Sequence, residues 1–208
     1  MLIIRDKILE SRLILGTGKY ADFDLMRACH EAAETAMVTL AIRRIDLHAA
    51  QSTGILNYID RSRIQLLPNT AGCYTAEDAL TTARLAREVL DTNLVKLEVI
   101  GDERTLFPCP EGTLEGARLL VQDGFDVLPY CSDDPVMCRR LEDIGCAAVM
   151  PLAAPIGSGL GIRNPINLSI IIEQAGVPVI VDAGVGTCLL YTSPSPRDRT
   201  RSRMPSSA

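Results

Sequence analysis

Short apolar runs rich in β-branched residues alternate along this chain with segments that have the spacing of amphipathic helices. The runs that read as strands cover residues 12–16, 36–41, 64–68, 94–100, 125–129, 147–152 and 177–181. The helical segments between them cover residues 22–33, 75–90, 113–123, 134–144 and 165–175. Apolar strands that are regularly separated by helices are typical of a parallel sheet covered by helices. The pattern therefore predicts an α/β fold.

The count and regularity of these units favour a (β/α)8 TIM barrel. A doubly wound sheet also fits, although such sheets usually have about five or six strands. A TIM barrel takes about 250 residues, whereas this chain has 208. We therefore expect an incomplete barrel of about seven βα units, with the eighth strand missing. The predicted barrel domain covers residues 1–187.

The segment 188–208 breaks the pattern directly after a strand and a turn, where an α/β protein should begin another helix. Ser, Pro and Arg dominate it, and it has no apolar periodicity. We interpret it as a disordered, non-native tail, because it looks like translated sequencing-adapter sequence. A basic interaction tail is the alternative, and the nucleotide sequence of the gene would distinguish the two.

The composition argues against several classes of function. The net charge is −5 and aromatic residues are 4%, whereas nucleic-acid binders present basic surfaces and stacking rings. The long uncharged stretch at residues 145–162 is interrupted by prolines, so we predict a cytoplasmic protein with no membrane span. The seven cysteines include no CxxC pair. We therefore expect them to be reduced and to act as small core residues, and we expect no metal site. The two histidines, His30 and His48, read as surface residues.

Lys96 and Glu98 are the first candidates for chemistry. Alternation along strand 94–100 places both on one face, with Val95, Leu97 and Val99 on the other. The apolar side should meet the helices, so the charged side chains should point into the barrel. A buried lysine can attack a carbonyl and form a Schiff base, and a neighbouring glutamate can move protons in that step. A purely structural Lys–Glu pair is the alternative.

Asp182 and three glycine-rich loops also follow predicted strands. The carboxyl ends of barrel strands form the active face, so Asp182 could be an acid or base there, or could simply cap a turn. The loops 16–19, 156–161 and 183–186 could surround a phosphate with backbone N–H groups, or could be ordinary turns. Asn69 follows strand 64–68 and could contact a substrate as a neutral polar group.

Five motifs, taken in order, resemble the thiazole synthase family of bacterial thiamine biosynthesis. They are LGTGKY at 15–20, LPNTAG at 67–72, VKLEVI at 95–100, PIGSGLG at 155–161 and VDAGVGT at 181–187. Each motif alone is weakly specific, but the ordered set is highly specific. The resemblance covers residues 1–187 nearly continuously.

The resemblance implies a homotetrameric (β/α)8 barrel enzyme with no metal or organic cofactor. Lys96 would form an imine with 1-deoxy-D-xylulose 5-phosphate, and Glu98 and Asp182 would be the acid/base pair. Sulfur would come from the C-terminal thiocarboxylate of a small sulfur-carrier protein. A separate enzyme would supply dehydroglycine, made from tyrosine or glycine. The sugar phosphate would be held by Gly157, Ala183 and Gly184.

Three other interpretations remain open. One is a different Schiff-base enzyme of the barrel class that acts on sugar phosphates, such as an aldolase. Another is a non-catalytic barrel that binds a phosphorylated metabolite. The third, a nucleic-acid-associated protein that uses the arginine-rich tail, is disfavoured by the acidic body of the chain.

The family continues past residue 187 with a helix, an eighth strand and a final helix, which this sequence lacks. Seven strands cannot close a barrel, so we expect the 208-residue chain to fold poorly and to be inactive. The test is to produce this chain and the full reading frame of its gene and to measure thiazole phosphate formation by each. Comparable turnover by the shorter chain would contradict the expectation.

Overall fold

The computed structural model describes residues 1–44 and 54–186. His48 and the predicted tail, residues 188–208, lie outside the described residues. Within the described ranges the fold is α/β, as the sequence pattern predicts.

The main sheet has six parallel strands whose order in space is their order along the chain. A doubly wound sheet reverses direction at a switch point, and no such reversal occurs among these six strands. The sheet is therefore of the barrel type and forms part of a barrel wall. Its strands are β3 (Ile14–Gly16), β4 (Met37–Ala41), β5 (Gln65–Asn69), β6 (Leu94–Leu97), β7 (Asp126–Cys131) and β8 (Met150–Pro151).

The predicted strand 177–181 lies beside β8 but does not form a regular strand. Two isolated parallel bridges join it to the sheet, Val149 to Val179 and Leu152 to Asp182. The N–H of Asp182 donates to the carbonyl of Pro151 at 2.9 Å. These contacts place the end of the segment next to the end of β8, so Asp182 reaches the same edge of the sheet as the other strand ends.

Five helices follow strands of the main sheet, and four of them begin with a favourable side-chain cap, at Asp22, Thr75, Asp134 and Asn164. The N–H of Asp78 donates to the Thr75 hydroxyl, and the side chains of Asp134 and Asn164 accept bonds from the first turns of their helices. The bounds are α1 (Phe23–Ala32), α2 (Ala76–Leu90), α3 (Pro110–Gln122), α4 (Pro135–Ile144) and α5 (Pro165–Gln174).

The start of α3 differs from the prediction. The helix begins at Pro110 instead of residue 113, with Cys109 as its N-cap. The N–H of Gly112 donates to the Cys109 sulfur at 3.4 Å. Cysteine is a weak acceptor and is rarely expected at a cap, so the sequence pattern placed the start later, within the first turn.

Alternation along each strand separates two apolar regions. The outward side chains of β6 and its continuation, Val95, Leu97 and Val99, pack with α2 and α3 in the largest buried cluster. The inward side chains Leu94 and Leu128 belong to a second cluster inside the sheet. The predicted division of strand 94–100 into an apolar outer face and a charged inner face is therefore confirmed.

An N-terminal hairpin that the sequence pattern did not predict covers the amino-terminal end of the barrel wall. Its antiparallel strands are β1 (Leu2–Ile4) and β2 (Lys7–Leu9). Ile4 and Leu9 are fully buried in the inner cluster, together with the first inward residues of several strands. The sequence pattern does not indicate this hairpin because each strand has only three residues and the turn contains no glycine or asparagine.

Replacing Ile4 with alanine should lower the free energy of unfolding by about 2–5 kcal/mol, because a buried side chain is lost and a cavity is left beneath the sheet. Ile3 lies beside it on the same strand but is 53% exposed. The matched substitution Ile3→Ala should change the free energy by less than about 0.5 kcal/mol. Urea unfolding of both variants measures the difference, and equal losses would contradict the proposed covering role.

Candidate functional site

The amine of Lys96 lies between two carboxylates at the carboxyl end of the sheet. Its Nζ is 2.5 Å from Oδ2 of Asp182 and 3.6 Å from Oε1 of Glu98. The lysine and glutamate side chains are 6% and 3% exposed, whereas the aspartate side chain is 21% exposed. The three residues singled out from the sequence are therefore brought together, and Asp182 forms the side of the cluster that faces solvent.

A charged cluster of this kind can carry out proton transfer and nucleophilic attack. The ammonium form of Lys96 interacts with both carboxylates, so a proton must leave Nζ before the nitrogen can attack a carbonyl carbon. Asp182 is the nearer carboxylate and is placed to accept that proton. Glu98 is more deeply buried and lies two positions along the same strand face, where it can serve a second proton transfer.

The turn that follows β5 supports the lysine and the glutamate from one side. Asn69 is the register partner of Lys96, and its side-chain oxygen accepts a bond from the N–H of Ala71 at 3.3 Å. The hydroxyl of Thr70 contacts the backbone of Glu98 and has no surface exposure. Asn69 thus lies beside the cluster as expected, whereas Thr70 was not singled out, although it lies within the LPNTAG motif.

Two glycine-rich loops pack directly against each other beside the charged cluster. The N–H of Gly161 donates to the carbonyl of Gly184 at 2.8 Å, and the N–H of Ala153 donates to the carbonyl of Asp182 at 2.8 Å. Gly184 has a φ of +64°, and a Cβ added there would overlap Ala154. A glycine is therefore required at 184 both by the backbone conformation and by the close approach of the second loop.

These loops present polar groups to the site. In the described part of the chain, the backbone N–H groups of Ala183 and Gly184 donate to no protein acceptor. The hydroxyl of Ser158 is buried in the neighbouring loop and, within the same ranges, has no hydrogen-bond partner. Such groups could bind an anion. Gly157 lies in that loop with a φ of +76°, so the candidate phosphate-binding residues occur in adjoining loops.

A small hydrophobic cluster around Tyr130 covers the carboxyl end of the sheet next to Lys96. Tyr130 is buried, its ring centroid lies 6.0 Å from the Lys96 nitrogen, and its hydroxyl donates to the carbonyl of Leu106. Tyr130 packs with Ile100 and Leu152, and Ala183 lies against the same cluster. Tyr130 was not singled out from the sequence, although its inward position follows from the alternation along β7.

His30 is not a surface residue, and the expectation from the sequence is wrong for it. The side chain is buried, with Nε2 lying 3.2 Å from the carbonyl of Gly16 in the first glycine-rich loop. Its ring also packs edge-to-face against Tyr20. Burial lowers the pKa of His30 below its usual value, and the Gly16 carbonyl opposes this only in part. The residue therefore supports the loop after β3 from beneath.

Four of the cysteines behave as the small core residues that the composition suggested. Cys73, Cys131, Cys138 and Cys146 are buried. The sulfurs of Cys131 and Cys138 lie 3.7 Å apart, and this contact, together with burial, raises the pKa of Cys131. Burial also raises the pKa of Cys146 to about 12, so these thiols are poor nucleophiles.

Residues 1–44 and 54–186 contain no group of three or more metal-ligating side chains placed to hold an ion. None of their helices combines the length and the apolarity that crossing a membrane requires.

The parallel sheet and the buried cluster of Lys96, Glu98 and Asp182 define a barrel-type α/β protein with a lysine-centred candidate site. The chain belongs to the family of the thiazole biosynthesis protein ThiG, whose family model matches residues 3–190. It is 64% identical over 177 residues to the thiazole synthase of Myxococcus xanthus, covering 85% of this chain and 68% of that protein. It is 58% identical to the thiazole synthase of a Geobacter species, covering 89% of this chain and 72% of that protein. The family resemblance inferred from the five motifs is confirmed, and the chain is a thiazole synthase by family.

Solved structures support the same fold. A crystal structure of the Amycolatopsis orientalis BexX/CysO complex matches with a TM-score of 0.76 and 32% identity. The match covers 89% of this chain and 76% of that one. A dihydrodipicolinate synthase matches with a TM-score of 0.53 at 14% identity, covering 81% of this chain and 62% of that one, and this likeness concerns the fold alone.

The stability of the protein should fall as the pH is lowered through about 6.5, because His30 is buried with a lowered pKa. The unfolded chain then binds a proton before the folded chain does, so acidification favours unfolding until the folded value is passed. Above about pH 7.5 this contribution should be constant. Urea unfolding at a series of pH values measures the slope.

The variant His30→Gln should lose this part of the slope, because glutamine does not titrate. His48 is the only other histidine of the chain, so His48→Gln serves as the matched control and should keep it. A slope that persists in His30→Gln would show that another group is responsible.

Proposed function

We propose that the protein encoded by the full reading frame of this gene forms the thiazole phosphate of thiamine through an imine between Lys96 and 1-deoxy-D-xylulose 5-phosphate. The observation that carries the proposal is the buried amine held between Asp182 and Glu98 at the carboxyl end of the sheet. Family membership supports the overall reaction, and the geometry supplies a nucleophile with two proton-transfer groups.

The first steps follow from the positions of the three side chains. Asp182 accepts a proton from Nζ of Lys96, and the neutral nitrogen attacks the C2 carbonyl carbon of the sugar phosphate. Glu98 moves a second proton from the nitrogen to the new alkoxide oxygen, which gives the carbinolamine. Asp182 then returns its proton to the carbinolamine hydroxyl, and loss of water leaves a protonated imine. Glu98 then removes the C3 proton, and the enamine that forms tautomerises to place a ketone at C3.

The later steps need two further reactants. The terminal thiocarboxylate of a small sulfur-carrier protein donates sulfur to the sugar carbon chain. Dehydroglycine, which a separate enzyme makes from tyrosine or glycine, contributes nitrogen and two carbons, and loss of water closes the ring. The related BexX structure was solved as a complex with CysO, which supports a protein partner for this chain as well.

The phosphate of the substrate fits the two packed loops. The N–H groups of Ala183 and Gly184 point to an anion-binding role because protein acceptors do not use them within the described residues. The hydroxyl of Ser158 can add a further donor, and Gly157 lies in the same loop. Asn69 would contact the sugar as a neutral polar group. We further propose a cytoplasmic homotetramer that needs no metal or organic cofactor and binds no nucleic acid.

The imine can be tested by borohydride reduction of the protein with 1-deoxy-D-xylulose 5-phosphate, followed by peptide mass spectrometry. The chain has only three lysines, Lys7, Lys19 and Lys96, so the site of reduction is unambiguous. We expect the adduct on Lys96 and none on the other two. This readout needs only residues of the described site and does not depend on ring closure.

Variants of the three side chains test the nucleophile and the two proton-transfer groups separately. Lys96→Arg keeps a cation between the carboxylates and should abolish the adduct without unfolding the protein. Glu98→Gln and Asp182→Asn should slow its formation by about 100-fold, as expected for loss of a general acid or base. The ketose without its phosphate should react more weakly.

An adduct formed only with other aldehyde or ketone phosphates would favour an aldolase-like enzyme, and no adduct with any sugar phosphate would favour a non-catalytic binding barrel.

A further inference from the structure

We propose that Thr70 is a positioning residue whose hydroxyl fixes the backbone of Glu98, and thereby the place of its carboxylate beside Lys96. This inference rests on the proposed function, because it assigns Glu98 a proton-transfer role. Thr70 follows β5 in the LPNTAG motif and is completely buried.

One hydroxyl makes two contacts with the same residue. The N–H of Glu98 donates to Oγ1 of Thr70 at 2.8 Å, and the same oxygen donates its hydrogen to the carbonyl of Glu98 at 2.8 Å. The N–H of Thr70 also donates to the carbonyl of Lys96 at 3.1 Å. Thr70 therefore hydrogen-bonds to the backbones of Lys96 and Glu98, the two charged residues on either side of Leu97.

These contacts occur where the regular sheet stops. The register between β5 and β6 is the single pair Asn69 and Lys96, and β6 ends at Leu97. Glu98 lies past that end, where the backbone of the neighbouring strand no longer supplies the usual ladder bonds. The side chain of Thr70 takes over this function, so the extended path of the chain continues through Glu98 and keeps its side chain on the inner face.

The hydroxyl is placed to position Glu98 and has no means of reacting with a substrate. Its one hydrogen is directed at the Glu98 carbonyl, and the residue has no exposed surface. Only serine and threonine can accept and donate through a single small group at this point. Valine has the shape of threonine but offers neither function, so it isolates the effect of the two hydrogen bonds.

Thr35 provides a matched control at the opposite end of the sheet. It is also a buried threonine, and its hydroxyl lies 2.6 Å from the carbonyl of Leu13 and 2.8 Å from that of Met37, the first residue of β4. Thr35→Val removes a comparable side-chain-to-backbone contact far from the charged cluster. It therefore reports what such a loss does to stability alone.

The experiment compares Thr70→Val, Thr70→Ser and Thr35→Val with the parent, all produced from the full reading frame of the gene, by two measurements. The first is hydrogen–deuterium exchange at the amide of Glu98. The second is the rate of borohydride-trapped adduct formation on Lys96, as a function of 1-deoxy-D-xylulose 5-phosphate concentration and of pH.

We expect Thr70→Val to speed exchange at Glu98 by at least about 10-fold, the effect of losing one hydrogen bond. Its maximal trapping rate should fall by about 100-fold, because small displacements of a reacting group have effects of this size. The concentration for half-maximal rate should stay the same, and the pH dependence should change because Glu98 is displaced. Thr70→Ser should stay within about threefold of the parent in both measurements, since the hydroxyl is retained. Thr35→Val should lower stability without altering either measurement.

Several results would overturn the inference. If the parent forms the adduct and Thr70→Val forms it at the same rate with the same pH dependence, Thr70 does not position Glu98 for the reaction. If Thr35→Val loses rate to the same degree, the effect of Thr70→Val is general destabilisation. If the parent forms no adduct at all, the proposed function fails. Faster exchange at Glu98 in Thr70→Val would then reveal only a structural contact.

Discussion

The buried amine of Lys96 is the constraint around which this site is organised. A cation placed in the interior of a sheet is strongly unfavourable unless opposite charge and hydrogen bonds accompany it. The carboxylates of Glu98 and Asp182 provide that charge from two parts of the chain. The position of Asp182 in turn depends on the segment that runs beside β8, and that of Glu98 depends on the turn after β5. The charge of Lys96 therefore depends on groups from the ends of several strands.

The two ends of the barrel wall are packed by different groups of residues. The inner apolar cluster lies toward the amino-terminal end, where the hairpin with Ile4 and Leu9 covers it. Tyr130 and its apolar neighbours pack at the carboxyl end and restrict water near the amine. The packed glycine loops border the same end. This arrangement exposes one side of Asp182, so a substrate can approach the lysine from that direction.

Much of the architecture followed from periodicity alone. The strand candidates, the starts of α2, α4 and α5, and the inward direction of Lys96 and Glu98 all rest on local patterns that tertiary contacts reinforced. The start of α3 differs from its prediction for a local reason, the Cys109 cap, whereas the environments of His30 and of segment 177–181 are set by distant parts of the chain. His30 has an ordinary helical position, and only the loop after β3 makes it buried. The segment 177–181 has the composition of a strand and pairs with the sheet through isolated parallel bridges and backbone hydrogen bonds, without forming a regular strand.

The alternating pattern determined the order of elements, the two faces of each strand and the identity of the charged candidates, because these properties repeat over a few residues. The contact between Lys96 and Asp182 joins positions far apart in the chain, and no local signal specifies a distance of 2.5 Å between them. The hydroxyl of Thr70 belongs to a recognisable motif, yet its partner on the next strand depends on sheet register. Such contacts arise only when parallel strands bring their ends to a common edge, and for this reason the tertiary structure decided which motif residues meet.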